Sequence, residues 1–370
     1  MFSPSFKLPR ALLTQGGTLY LLALAVTAVV GLGSCAPATT EPGAVSPQAQ
    51  ATPEAKGKLK VVTTTLPVTN FTKAVAGNRA EVRYLLPSNV GPHDYQAKPE
   101  DVRTIAEADV LVKNGLGLEA YLDDLLASAN NQDLKVIDTS QGVPAISNEA
   151  VEGHEHAAEE AAGESHEHEG EFNPHIWLDP DRAIQQVENI RDGLIAADPE
   201  GKAAYTANAA AYINQLKALD AEIATALKPY AGKEFVTYHD FAPYFAQEYD
   251  LQVEYLVGVP EENPAPADVK RVMNAAQASN LRTLLAEPQA AGNSFEALAN
   301  DLKVQVSTFD PMETSGPEGL QPDYYLKVMR QNVRNLQTAF SGKPIQSQLP
   351  VWSPARAFVV AQPIGLGLHR

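Results

Sequence analysis

Two hydrophobic periods alternate along the chain from Lys60 onward. KVVTTT (Lys60 to Thr65) is a short β-branched run, and VTNFTKAVAG repeats its apolar positions at helical spacing up to Gly77. AEVRYLL predicts a strand, PEDVRTIAEA (Pro99 to Ala108) a helix, and DVLVKN a strand closing at Asn114-Gly115. LEAYLDDLLASA then predicts a helix and LKVIDT (Leu134 to Thr139) a strand. Strand and helix in this alternation form βαβ units with a mostly parallel sheet. Two helices follow with no strand between them. Asp179-Pro180 gives the first its N-cap and N1 residues, with Ile184, Val187, Ile190 and Leu194 on one face. Asp198-Pro199 starts the second, whose Tyr205, Tyr212, Leu216, Leu219, Ile223 and Leu227 mark a single face up to Pro229 and Gly232. At ~1.5 Å per residue it is about 40 Å long, enough to run the length of a two-lobed protein.

The alternation then resumes. EFVTY (Glu234 to Tyr238) predicts a strand, Pro243 to Gln247 a helix and LQVEYLVG a strand. PADVKRVMNAAQAS, LRTLLAE, SFEALANDL and VQVSTF (Val304 to Phe309) continue it, and YYLKVMRQNVRNLQTAF closes it as a helix. The pattern predicts an α/β fold of two similar lobes, each a mostly parallel sheet flanked by helices, joined by one long backbone helix. Residues 59–198 are the first lobe, 199–230 the linking helix and 231–340 the second lobe. The tail, 341–370, has several prolines and no period, and no role is assigned to it.

The first residues do not belong to this fold. Lys7 and Arg10 form a basic segment, and Leu19 to Leu32 is an apolar run. That run is shorter than the ~20 residues needed to span a bilayer, so it predicts an export signal over 1–34 rather than an anchor helix. Leu32-Gly33-Ser34-Cys35 resembles a bacterial lipobox, which implies cleavage before Cys35 and lipidation of its sulfur. The mature chain is then extracytoplasmic (periplasmic) and tethered to a membrane by lipid. Residues 35–58, rich in Pro, Ala, Thr and Gln, read as a flexible tether. Cys35 is the only cysteine, so no internal disulfide can form.

A hydrophobic content of 44% is that of a globular protein. The formal charge of −17 leaves no basic stripe for nucleic acid and suits a protein that meets cations. One insert, 149–171, carries nine of the 45 acidic residues and four of the eight histidines. His154, His156, His166 and His168 form two His-Glu-His triplets among further glutamates, a donor set suited to zinc, copper or nickel. The insert has no large apolar residue after Val151, so it cannot build a core and reads as a mobile auxiliary metal loop. The bland alternative is a solvated charge run in which histidine is incidental.

Three other histidines stand where predicted strands end or helices begin. His93 follows VRYLL in GPHDYQAKPED, His175 precedes an N-cap in NPHIWLDP, and His239 ends EFVTY in TYHDFAPYFA. Asp310 ends VQVSTF in TFDPMET. Ligands of open α/β sheets bind beyond the carboxyl ends of strands. Two candidates before the long helix and two after it would converge on the cleft between lobes. They stand many tens of residues apart, which excludes a zinc finger or knuckle. Taken singly, each is more readily a structural or surface residue than a ligand, and only their joint placement brings the two readings level.

GPHDYQAKPED, NPHIWLDP and TYHDFAPYFAQEYDL, with STFDP as a fourth match, resemble signature stretches of the zinc- and manganese-binding solute-binding proteins of bacterial ABC importers. The resemblance runs from about Lys60 to Phe340. It implies a monomeric receptor, not an enzyme, that holds a metal between its lobes and hands it to a permease and its ATPase. The ligands it implies are His93, His175 and His239, with Asp310 as a candidate fourth. Within this family a carboxylate at the third position goes with manganese and a histidine with zinc, and this chain has His239. The chemistry agrees: three imidazoles and at most one carboxylate suit tetrahedral Zn2+, whereas manganese prefers more oxygen. Some zinc-binding members carry a disulfide in the second lobe, which this chain cannot form. Alternative readings are a manganese receptor, a zinc-dependent hydrolase with water at an open position, or a surface adhesin. Against the hydrolase, no H-E-x-x-H or nucleophile motif is present.

Overall fold

The first lobe follows the predicted alternation: β1 (Leu59–Thr63), α1 (Leu66–Ala76), β2 (Ala80–Tyr84), α2 (Pro99–Ala106), β3 (Val110–Lys113), α3 (Leu122–Ala129) and β4 (Lys135–Asp138). The computed structural model describes residues 57–93, 95–148, 171–258, 264–279, 281–288 and 293–341. Apart from their edges, the predicted leader, tether, acidic insert and tail lie outside the described residues. All pairings are parallel, in the order β2-β1-β3-β4. Val61, Val62, Val110, Leu111 and Val112 of the central strands are all buried, because helices cover both faces. α1 starts where Thr65 accepts a hydrogen bond from the Val68 N–H, and it stops at Gly77, whose φ is 55°. α3 begins later than its hydrophobic pattern suggests. Gly115, Leu116 and Gly117 have φ of 93°, 58° and 83°, so the chain first turns through three left-handed residues.

α4 (Pro180–Ala197), capped by the Asp179 side chain, and α5 (Lys202–Leu227) then lead to the second lobe. That lobe comprises β5 (Glu234–His239), α6 (Pro243–Glu248), β6 (Gln252–Val257), α7 (Pro266–Ala278), β7 (Thr283–Ala286), α8 (Asn293–Leu302), β8 (Gln305–Thr308) and α9 (Tyr324–Ser341). Its sheet is again parallel, in the order β6-β5-β7-β8, so the two lobes repeat one topology. The fold is therefore the expected α/β pair of lobes with a long helix between them. No helix among the described residues is long and apolar enough to cross a membrane.

The packing differs from two separate bodies on a strut. Each lobe has a small outer core, around Ile105 and Leu111 in the first and around Leu284 and Phe295 in the second. A third cluster is shared: Val61, Phe71 and Val110 of the first lobe join Phe235, Phe309 and Tyr325 of the second around α4 and α5. The face of α5 from Tyr205 to Leu227 is buried throughout, and both lobes contribute to covering it. Each such side chain contributes roughly 1.5–3 kcal/mol on burial, so pulling the lobes apart is costly.

Candidate metal centre

His239 is the last residue of β5, and His93, His175 and Glu313 lie in the segments after β2, β4 and β8. All four therefore stand beyond the carboxyl ends of parallel strands. Their ligand atoms lie within 4.8 Å of one another. His175 and His239 are fully buried, Glu313 is nearly so, and His93 is partly exposed. His175 Nε2 is 3.3 Å from His93 Nε2 and 3.3 Å from His239 Nε2. Glu313 Oε1 is 3.1, 3.0 and 3.4 Å from the Nε2 atoms of His93, His175 and His239. A tetrahedral ion with bonds of about 2.0–2.1 Å has ligand–ligand edges of about 3.3–3.4 Å. Five of the six donor pairs are spaced for such an ion, and all four donors lie within 4.8 Å of one another.

The groups behind the donors determine which nitrogen faces inward. Asn173 Nδ2 donates to Asp240 O at 2.7 Å, which orients its carboxamide. Asn173 Oδ1 therefore accepts from His175 N at 3.1 Å and from His175 Nδ1 at 2.9 Å. Glu287, directly after β7, accepts from His239 N at 3.1 Å and His239 Nδ1 at 2.6 Å. With Nδ1 of both rings donating outward, both Nε2 atoms face the other donors of the group, the arrangement that outer partners of metal-bound histidine produce. Trp177 braces the site across the lobes: its Nε1–H donates to Pro311 O at 2.8 Å, and its own carbonyl accepts from Tyr325 OH at 2.7 Å.

Charge is distributed unevenly among the four. Burial opposes a proton on His239, but Glu287 and Glu313 outweigh it and raise its pKa well above the usual imidazole value. Burial lowers the His175 pKa to about 4, with Glu313 opposing and the other two histidines adding to the shift. Burial also disfavours ionised Glu313, yet His239, His93 and its hydrogen bonds hold its carboxyl well below the usual range. Without metal at neutral pH, His239 therefore carries a proton while Glu313 is ionised. Coordination requires a bare Nε2, so zinc uptake near pH 7 is expected to release about one proton, from His239. Calorimetry in buffers of different ionisation enthalpy measures this number; a buffer-independent heat would contradict it.

Asp310, the candidate fourth ligand, is not in the group, which Glu313 completes instead. Asp310 Oδ1 accepts from the Met312 N–H at 2.7 Å, turning the carboxylate back onto its own Asp-Pro turn. Burial, against that N–H bond and aided by Glu287 and Glu313, pushes its pKa up to about 7, which makes it a poor anionic ligand. Met312, with φ of 63°, then reverses the chain so that Glu313 follows. His154, His156, His166, His168 and Cys35 lie outside the described residues. The stems of the acidic insert are described: Ser147 and Phe172 form an antiparallel bridge, and Asn148 N–H donates to Glu171 O at 3.1 Å. The insert thus leaves and re-enters the chain beside Asn173.

Two parallel sheets that bring three imidazoles and a carboxylate together beyond their strand ends define a two-lobed metal-binding protein. Residues 61–339 match the family model described as zinc-uptake complex component A, periplasmic, and the chain belongs to that family. It is 33% identical over 303 residues to the zinc-binding protein AdcA of Streptococcus pyogenes, a match covering 79% of this chain and 58% of that protein. The high-affinity zinc uptake system protein ZnuA of Bacillus subtilis is 30% identical over 287 residues, 77% of this chain and 88% of that one. The fold is also similar to the Zn(II)-bound ZnuA-like domain of Streptococcus pneumoniae AdcA, with a TM-score of 0.62, 30% identity, and coverage of 76% and 99%. The chain spans just over half the length of the AdcA relative it matches.

Proposed function

We propose that this protein is an extracytoplasmic zinc receptor. It captures Zn2+ on His93, His175, His239 and Glu313 and delivers the ion to the permease and ATPase of an ABC importer. The observation that carries this reading is the convergence of three imidazole nitrogens and one carboxylate oxygen within 4.8 Å of one another, with five of the six donor pairs at 3.0 to 3.4 Å. In this reading residues 59–198 and 231–340 act as the two lobes. Four protein donors fill a tetrahedral sphere and leave no open position for an activated water, which speaks against a hydrolase. Manganese prefers more oxygen than one carboxylate supplies. The relatives' names and the Zn(II)-bound neighbour support zinc. The test is a competition titration of metal-free protein with zinc and manganese, for which one tight zinc per main site and weak manganese are expected. Tighter manganese would overturn the metal assignment.

The lipobox reading has the receptor held to a membrane through Cys35. Cys35→Ser is expected to move the protein out of the membrane fraction or leave it unprocessed; unchanged detergent-phase partitioning would contradict the anchor. The acidic insert is proposed as an auxiliary collector. Its stems meet beside Asn173, which orients His175, so ions held on His154, His156, His166 and His168 would be concentrated near the cleft. Capture by imidazole fades as pH falls through about 6.5. Deleting residues 153–170 is expected to remove only weak, acid-sensitive zinc and to leave the tight site. Loss of tight zinc in calorimetric titration of the deletion would mean that the insert supplies a primary ligand.

A further inference from the structure

Glu313 stands on a segment fastened at both ends, and the two fastenings belong to different lobes. Towards β8 the fastening is local: Asp310 N–H donates to Asn332 Oδ1 at 2.9 Å, and Asn332 Nδ2 donates to Asp310 O at 2.8 Å. Towards α9 the segment is held by α1 of the first lobe. Asn70 Nδ2 donates to Gly319 O at 2.8 Å and to Gln321 O at 3.0 Å, and Lys73 Nζ donates to Leu320 O at 2.8 Å. Three consecutive carbonyls at the end of the short 3-10 turn Pro317–Leu320 are thus taken by two side chains of the opposite lobe. Asn70 and Lys73 are three apart on α1 and share one of its faces. Between Glu313 and this turn, Ser315 N–H donates to Ser88 O at 2.6 Å, on the segment that leads to His93.

Local capping of a turn does not require a neighbouring lobe, since water or nearby side chains serve as well. Asn70 is fully buried, and its Oδ1 has no hydrogen-bond partner among the described residues. The carboxamide is satisfied only through the two bonds it donates to the Glu313 segment, although a buried unpaired acceptor lowers stability. We infer that Asn70 and Lys73 are positioning residues for Glu313 and, through it, determinants of metal choice. This rests on the zinc-receptor reading above. Held in place, Glu313 offers one oxygen as the fourth corner of a compact tetrahedron. Released, it is free to turn both oxygens inward and to admit water, and a larger, oxygen-richer sphere favours manganese.

The test uses the full-length chain and three variants: Asn70→Ala, Lys73→Met, which keeps the apolar stem, and Lys73→Arg, which keeps a donor. Competition titration with zinc and manganese gives the affinity ratio, visible absorption of the Co2+-loaded protein gives the coordination geometry, and thermal melting without metal gives the fold. Asn70→Ala and Lys73→Met are each expected to lower zinc affinity by up to about 10-fold, the lower end of the range for an outer partner of a metal ligand, because they hold the backbone of the Glu313 segment rather than its carboxylate. They are also expected to narrow the zinc-over-manganese ratio and weaken the intense tetrahedral Co2+ band. Lys73→Arg is expected to keep all three near the parent. If Asn70→Ala does not fold, the half-buried Lys73→Met carries the test alone. A Lys73→Met protein with parental ratio and Co2+ band overturns the inference, even if its melting temperature falls, because a purely structural contact predicts that result. Failure of the parent to bind zinc would instead overturn the receptor reading.

Discussion

His175→Ala is expected to lower zinc affinity by more than about a hundredfold, beyond the upper end of what loss of an outer partner costs. His175 is the common neighbour of the site, with Nε2 atoms of two histidines at 3.3 Å and Glu313 Oε1 at 3.0 Å. Its ring is fully buried and aligned by Asn173, so no solvent-facing group can replace it. Glu313→Gln and Asp310→Asn separate the carboxylate inside the group from the one outside it. The first removes the only anionic donor of the set and is expected to lower affinity by about 10-fold or more; the second, acting through a turn, is expected to change it less than about threefold. Chelator competition on each purified variant measures these values. Equal losses in the two variants would contradict the placement of Glu313 over Asp310.

Trp177→Ala is expected to produce the largest loss of folding stability, about 3–5 kcal/mol in urea unfolding, the usual cost of truncating a buried large aromatic. Trp177 is fully buried in the cluster both lobes share, and its ring meets His175 edge-on with centroids 5.2 Å apart. Trp177→Phe keeps most of that volume but leaves the Pro311 carbonyl without its donor, and is expected to cost about 1–3 kcal/mol. A Trp177→Ala protein within about 1 kcal/mol of the parent would mean that the shared core is far more plastic than its burial implies.

The eight strands of the described residues and the long helix were legible because each is a run whose period matches its element. The three histidines were legible for a related reason: parallel strands gather their carboxyl ends, and each histidine follows a strand or precedes an N-cap. The same rule pointed to Asp310, which the structure leaves outside the group. Asp310 comes first after β8, but an Asp-Pro pair readily folds its side chain onto a backbone N–H two residues on, which is what Met312 receives. That turn chemistry was present in the sequence, and Glu313 is the next carboxylate along the chain. Glu287 was equally accessible, since it follows β7 directly, yet a lone glutamate at a strand end carries no pattern. Asn70 and Lys73 could not be found that way. Their partners are 249 and 247 residues distant along the chain, and nothing in the period of α1 marks them. The shared core was hidden too, because the pattern on α5 shows that one face is buried without showing that both lobes cover it.

Anomalous diffraction at the zinc edge from crystals of the zinc-loaded protein tests the central claim most directly. The expected result is one strong peak within about 2.2 Å of the Nε2 atoms of His93, His175 and His239 and of Glu313 Oε1. A principal peak bound by Asp310, or one away from these three histidines, would contradict it.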